Sequence, residues 1–175
     1  MLSFAPHGGK IQKYTDKQAF LLARHLAGCP AWAFCGYAND GAYDEHHERS
    51  SHIEIRDDRH RHLSKLNEAD FRTAVSFHGF NPDSDVDVYL GGNMDHSDRD
   101  RVKDHVVART DDDVQVEVTQ RGDGLHRIYG GIRSENIVNR LAEKVLQLEQ
   151  TMGARRQHRE DICRGVADAF EEILR

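Results

Sequence analysis

Ala5-Pro6-His7-Gly8-Gly9-Lys10-Ile11-Gln12 continues an apolar run that begins at Leu2. A second segment, Ser76-Phe77-His78-Gly79-Phe80, has the same form: apolar residues, one histidine, then glycine. Leu2 to Pro6 and Thr73 to Phe77 both read as buried strands. A histidine at a strand end, followed by glycine, sits where the backbone turns sharply and a ligand can come close. In open α/β sheets, sites collect just beyond the carboxyl ends of the strands. Two such histidines on neighbouring strands could share a metal ion. Taken singly, each His-Gly pair in a chain with 12 histidines reads as a turn.

The neighbouring sequence supports a sheet. Thr15-Asp16-Lys17-Gln18 has capping-box spacing and opens a helix carrying Phe20, Leu21, Leu22 and Leu26, which ends near Gly28. Ala31 to Tyr37 then reads as a second buried strand. Strand, helix and strand in close succession favour a sheet that is at least partly parallel. The spacing also predicts a strand over Ser51 to Ile55 and a short helix from Asn67 to Phe71 with Asn67 as its cap. A strand over Val86 to Leu90 meets a tight backbone at Gly91-Gly92, and a helix runs from Ser97 to about Ala108. Val114 to Val118 alternates strictly, and Ile128 to Ile132 is short and glycine-rich. One helical turn or more follows over Asn136 to Leu141, and the last strand covers Val145 to Glu149. The range Arg155 to Leu174 contains a final amphipathic helix, with Ile162, Val166, Phe170, Ile173 and Leu174 as core packing. The expectation is an α/β fold: a mixed, largely parallel central sheet flanked by helices, in one domain over 1–175.

The chain resembles the poly-γ-glutamate hydrolase family first known from bacteriophages, which is similar in fold to the zinc carboxypeptidases. The resemblance rests on His7-Gly8-Gly9-Lys10-Ile11-Gln12, Ser76-Phe77-His78-Gly79, Asn136-Ile137-Val138-Asn139-Arg140 and Gln147-Leu148-Glu149. These motifs keep the family's order over most of the chain. The resemblance implies one zinc ion per chain, bound by His7 and His78, and Glu149 as the catalytic base. It implies Asn139 and Arg140 as a clamp on a substrate carboxylate, a geometry that the planar guanidinium fork suits. Arg155 and Arg133 would add positive potential for an acidic polymer.

One departure concerns the metal. The family's first motif ends in a glutamate ligand, and this chain has Gln12 there. A neutral amide oxygen binds zinc less well than a carboxylate. Three outcomes stay open at this point: a weakened site, a substitute carboxylate such as Glu54, or a fold reused without metal. The alternative to a hydrolase is therefore a metal-free binding or structural module, such as a virion component. A second alternative keeps the enzyme but changes the substrate to a peptide crosslink or an N-acylated amino acid. The pair His46-His47 reads as solvent-facing. His60-Arg61-His62 reads as a charged loop that could meet a polyanion or a stray metal.

Composition narrows the partners. The net charge is −6 and no basic cluster suggests a nucleic-acid surface. No stretch approaches a membrane span, so membrane insertion is not expected. Met1 leads straight into strand pattern without a basic signal-peptide region. The expectation is a cytoplasmic protein on synthesis, which the phage resemblance extends to virion association or release on lysis. Cys29, Cys35 and Cys163 have no framework spacing and read as reduced, buried thiols.

Overall fold

The computed structural model describes residues 1–37, 62–67, 69–81, 85–120, 122, 124–134 and 136–175. Glu54, the strand expected over Ser51 to Ile55, and the histidines at 46, 47 and 60 lie outside them. Among the described residues, six strands form one sheet: β1 (Leu2–Gly9), β2 (Ala31–Gly36), β3 (Phe71–Gly79), β4 (Val88–Gly92), β5 (Val116–Val118) and β6 (Ala142–Gln150). Their order across the sheet is β2-β1-β3-β6-β4-β5. Every pairing is parallel except β4 with β6, which is antiparallel. The expected mixed, largely parallel sheet is therefore the observed one.

Helices cover both faces, as parallel strands require. They are α1 (Thr15–His25), α2 (Leu63–Asn67), α3 (His96–Arg109), α4 (Gly124–Tyr129), α5 (Val138–Leu141), α6 (Met152–Gln157) and α7 (Arg159–Ile173). On one face, Ala5, Val75, Phe77, Leu90, Leu146 and Leu148 pack against Leu22 of α1, Val102 and Val106 of α3, and Ile162, Val166 and Phe170 of α7. On the other, Leu2, Phe4, Ala74 and Val145 pack against Leu63 of α2 and Val138 and Leu141 of α5. The second cluster covers only the early part of the strands. Beyond it, towards the carboxyl ends of β3 and β6, the same face carries polar side chains.

Three local expectations are corrected. The capping box at the start of α1 does not form. Tyr14, at φ 77°, is the cap residue and makes no side-chain cap bond. The Thr15 hydroxyl donates to the Gln12 carbonyl at 2.9 Å, and the Gln18 amide exchanges bonds of 2.7 and 3.1 Å with Gln150. The short helix near Asn67 ends there instead of starting, because Leu63 buries its side chain against the core and Asp70 adopts φ 46° before strand β3. The short, glycine-rich stretch from Ile128, to which the sequence reading assigns no element, begins in the last residues of helix α4. The final amphipathic helix is α7, within the expected range and separated at His158 from the short α6, but Leu174 is exposed outside its apolar stripe. Among the cysteines, Cys163 is buried while Cys29 and Cys35 are half-buried, and all three are free thiols. No helix of the described residues is long and apolar enough to cross a membrane.

Gly92 shows how tightly β4 meets β6. It has φ 97°, and a Cβ there would collide with the Val145 carbonyl. Gly92→Ala is expected to destabilise the fold by about 2–5 kcal/mol, combining dihedral strain with overpacking. A lowered urea midpoint with an unchanged m-value would register it.

Candidate active site

The carboxyl ends of β1, β3 and β6 lie along one edge of the sheet, as their parallel pairing requires. His78 and Glu149 are register mates across β3 and β6, and Ser76 and Gln147 are mates one step earlier on the same face. Tyr89 of β4 is the register mate of Glu149 on its other side. Because β4 runs antiparallel to β6, its terminal glycines lie beside Gln147 and Leu146 rather than beside Glu149.

His7 joins this face through an irregularity. Phe4 pairs with Ser76. Simple alternation from Phe4 would send His7 to the opposite face. Between Ala5 and Gly8 the register with β2 shifts, so that β1 contains one residue more than its partner strand. Such a bulge re-aims a side chain. The His7 ring meets the His78 ring edge-on, with centroids 5.1 Å apart. His7 is 2% exposed, and His78 is partly buried. The Ser76 hydroxyl hydrogen-bonds with His78 Nε2 at 2.9 Å and fixes that ring's orientation.

The two glycines after His7 have separate reasons. Gly8 packs against Asp16 and the Phe34 carbonyl. Gly9 takes φ 71°, and a Cβ there would lie 2.6 Å from the Gly36 carbonyl oxygen. The tight turn brings the Gln12 N–H to the His7 carbonyl at 2.7 Å. Gln12 is 6% exposed. Its Nε2 donates to the Gly79 carbonyl, next to His78, at 2.8 Å, and its Oε1 is buried with no hydrogen-bond partner. A buried acceptor left unmatched calls for a donor or a cation. Two imidazoles and this orphaned amide oxygen fit a divalent cation, as a weaker set than one with a carboxylate. Among the described residues, no group of three or more His, Cys, Asp and Glu could hold a metal. Position 12 carries glutamine in this chain, which is not among those four residue types.

Glu149 and Arg155 are close enough to feel each other's charge. Burial pushes the Glu149 carboxyl up to about 8, opposed by the Arg155 charge and by a hydrogen bond from Gln147 Nε2 at 2.9 Å. The residue keeps some exposed surface. Burial likewise pulls the Arg155 guanidinium down to about 10, and Glu149 opposes the shift. Arg155 is 4% exposed. Its Nη1 donates to the Lys13 carbonyl at 2.8 Å and its Nε to the Thr151 carbonyl at 3.3 Å. A Cβ on Gly79 would collide with its Cζ. Arg155 thus links the segment after β1, the end of β3 and the end of β6, the three places that carry Gln12, His78 and Glu149.

Asn139 and Arg140 sit on α5. The Asn139 Nδ2 donates to the carbonyls of Gly131 and Arg133, both at 2.7 Å, while Arg140 is exposed. The structure adds residues with no assigned role in the sequence reading. Ser76 orients His78, and Tyr89 flanks Glu149 in a stack with Tyr129, their rings 4.7 Å apart and 8° from parallel. The Ser-x-His spacing, two residues on one strand face, is the one signal that could have revealed Ser76.

Comparison with known proteins agrees with this fold. The bacteriophage poly-gamma-glutamate hydrolase structure superposes with a TM-score of 0.74 at 22% identity, covering 99% of this chain and 84% of that one. YNDL in its zinc-free apo form gives 0.71 at 15% identity, with 99% and 85% covered. The N-acetylmuramoyl-L-alanine amidase AmiC2 of Nostoc punctiforme gives 0.55 at 12%, with 99% and 96% covered. At these identities the likeness is one of fold. No curated protein sequence matches the chain. The model of the poly-gamma-glutamate hydrolase family matches residues 1–165, and with nearly the whole sequence covered, the chain belongs to that family.

Proposed function

We propose that this protein is a zinc-dependent amide hydrolase that cleaves γ-linked polyglutamate or a closely related acidic capsule polymer. The convergence of the His7 and His78 rings beside Glu149, at the carboxyl ends of three parallel strands, carries the proposal. His7, His78 and the Gln12 Oε1 would hold the zinc, one per chain and bound more weakly than with a carboxylate at position 12. When bound, zinc supplies Lewis acidity, which polarises a carbonyl and lowers the pKa of water. Glu149 takes the proton from the attacking water and delivers it to the leaving amide nitrogen. Ser76 keeps the His78 ring turned towards the site. Arg155 holds the three strand ends together and presents positive charge beside Glu149. Asn139 shapes the segment at Gly131 to Arg133, and Arg140 and Arg133 offer exposed guanidinium groups to the polymer's free carboxylates.

A polymer with one carboxylate per residue also agrees with the family description and with the phage origin of one structural relative. On that ground the reading extends to a viral or proviral enzyme that strips a capsule, associated with the virion or released on lysis. The amide at position 12 favours a second reading, a metal-free module that binds the same polymer without cutting it.

Incubation with γ-linked and α-linked polyglutamate, before and after chelation and zinc addition, tests these readings. The proposal expects chain shortening of the γ-linked polymer only, lost on chelation and restored by zinc. Binding without shortening under every condition would establish the module instead. Cleavage of the α-linked chain would overturn the substrate assignment.

A further inference from the structure

Segment 129–133 is tied to the sheet more firmly than a surface connection requires. The Tyr129 ring stacks on Tyr89, and the Gly92 N–H donates to the Gly130 carbonyl at 2.6 Å. Gly91 has no room for a Cβ, since the Tyr129 carbonyl oxygen would be 2.5 Å from it. The side chains of Asn136 and Asn139 both donate to the Gly131 carbonyl, at 3.0 and 2.7 Å.

Gln147 lies between this segment and Glu149. It is 4% exposed and shares a strand face with Glu149. Its Nε2 donates to Glu149 Oε1 at 2.9 Å and to the Tyr129 carbonyl at a longer 3.4 Å. Gly131, at φ 62°, rests directly on the carboxamide, and a Cβ there would collide with Oε1. That Oε1 is buried without a partner. A side chain present only to fill space would be better apolar, because an orphaned buried acceptor carries a desolvation cost. A carboxylate that must accept and release a proton needs one fixed orientation.

We propose that Gln147 is a positioning residue that holds the Glu149 carboxylate in one orientation by bracing it against the docked segment 129–131. The inference rests on Glu149 acting as the base. Gln147→Met keeps the length of the side chain and removes the donor. The expected result is a kcat lower by about 10- to 100-fold, the loss of one hydrogen bond to a charged group. KM stays within about twofold, and zinc content and thermal midpoint hold. Crystal structures of the wild type and the variant provide a reading independent of turnover. Glu149 is expected in one rotamer in the former and turned away or split in the latter. An unmoved Glu149 in the variant overturns the inference, as does a kcat loss that merely tracks a fall in the midpoint. Absence of hydrolysis by the zinc-loaded wild type would defeat the base assignment, and the two crystal structures would still decide whether Gln147 holds Glu149.

Discussion

Replacing Glu149 with glutamine is expected to lower kcat on γ-linked polyglutamate by about 10²–10⁴-fold, the usual contribution of a positioned acid–base group. The shape of the side chain is kept, so zinc content and KM should hold. Loss of both together would mean a structural role instead. The same substitution has a second readout in the metal-free protein. Burial raises the folded-state pKa of Glu149 from 4.5 to about 8. The folded state therefore binds this proton more tightly than the unfolded state does. Its stabilising effect is complete below pH 4.5 and is lost as the pH rises to about 8. Chelated wild type should lose on the order of 3 kcal/mol of stability across that window, with residual exposure moderating the figure. The Glu149→Gln variant should show a flatter profile. Urea titrations at several pH values measure the difference. Parallel profiles for the two proteins would mean that the carboxyl is ionised in the fold.

Restoring a carboxylate at position 12 should act in the opposite direction. Gln12→Glu is expected to tighten zinc binding by at least about tenfold, since even outer-sphere partners of a metal contribute 10–100-fold. Competition with a chelator of known affinity would measure this without reference to activity. If catalysis is limited by metal occupancy, activity at limiting zinc rises in step and activity at saturating zinc changes little. A variant that takes up no more zinc than the wild type would indicate that position 12 does not face the metal. The Gln12 amide also bridges to the Gly79 carbonyl. A carboxylate cannot donate that bond, so the variant should lose a little stability when metal-free and recover it with zinc.

The two substitutions separate binding from chemistry. Position 12 should move metal affinity, and position 149 should move turnover. His7→Ala or His78→Ala should remove both, because each imidazole is a ligand in the proposed set.

Much of this was legible in the chain itself. The apolar runs ending in His7 and His78, the helix between the first two strands and the alternation at Val114 to Val118 sufficed for a largely parallel α/β sheet. Those signals are local, and burial on both faces leaves continuous apolar runs. The family motifs singled out Glu149 and the altered residue at position 12 on type and order alone. Tertiary structure decided what local sequence does not encode. A one-residue register shift turns His7 to the face of His78, and such a shift is visible only against the partner strand. The capping box at Thr15 does not form: Tyr14 is the cap residue, and the Gln18 amide bonds to Gln150, far away in sequence. The antiparallel course of β4 set Tyr89, not the terminal glycines, against Glu149. The links made by Arg155 and Gln147 likewise join residues distant in sequence and close only in the fold. Residue type and order determined which chemistry this chain could attempt, whereas strand pairing determined which of those residues meet, because side-chain contact follows register and register is a property of two strands.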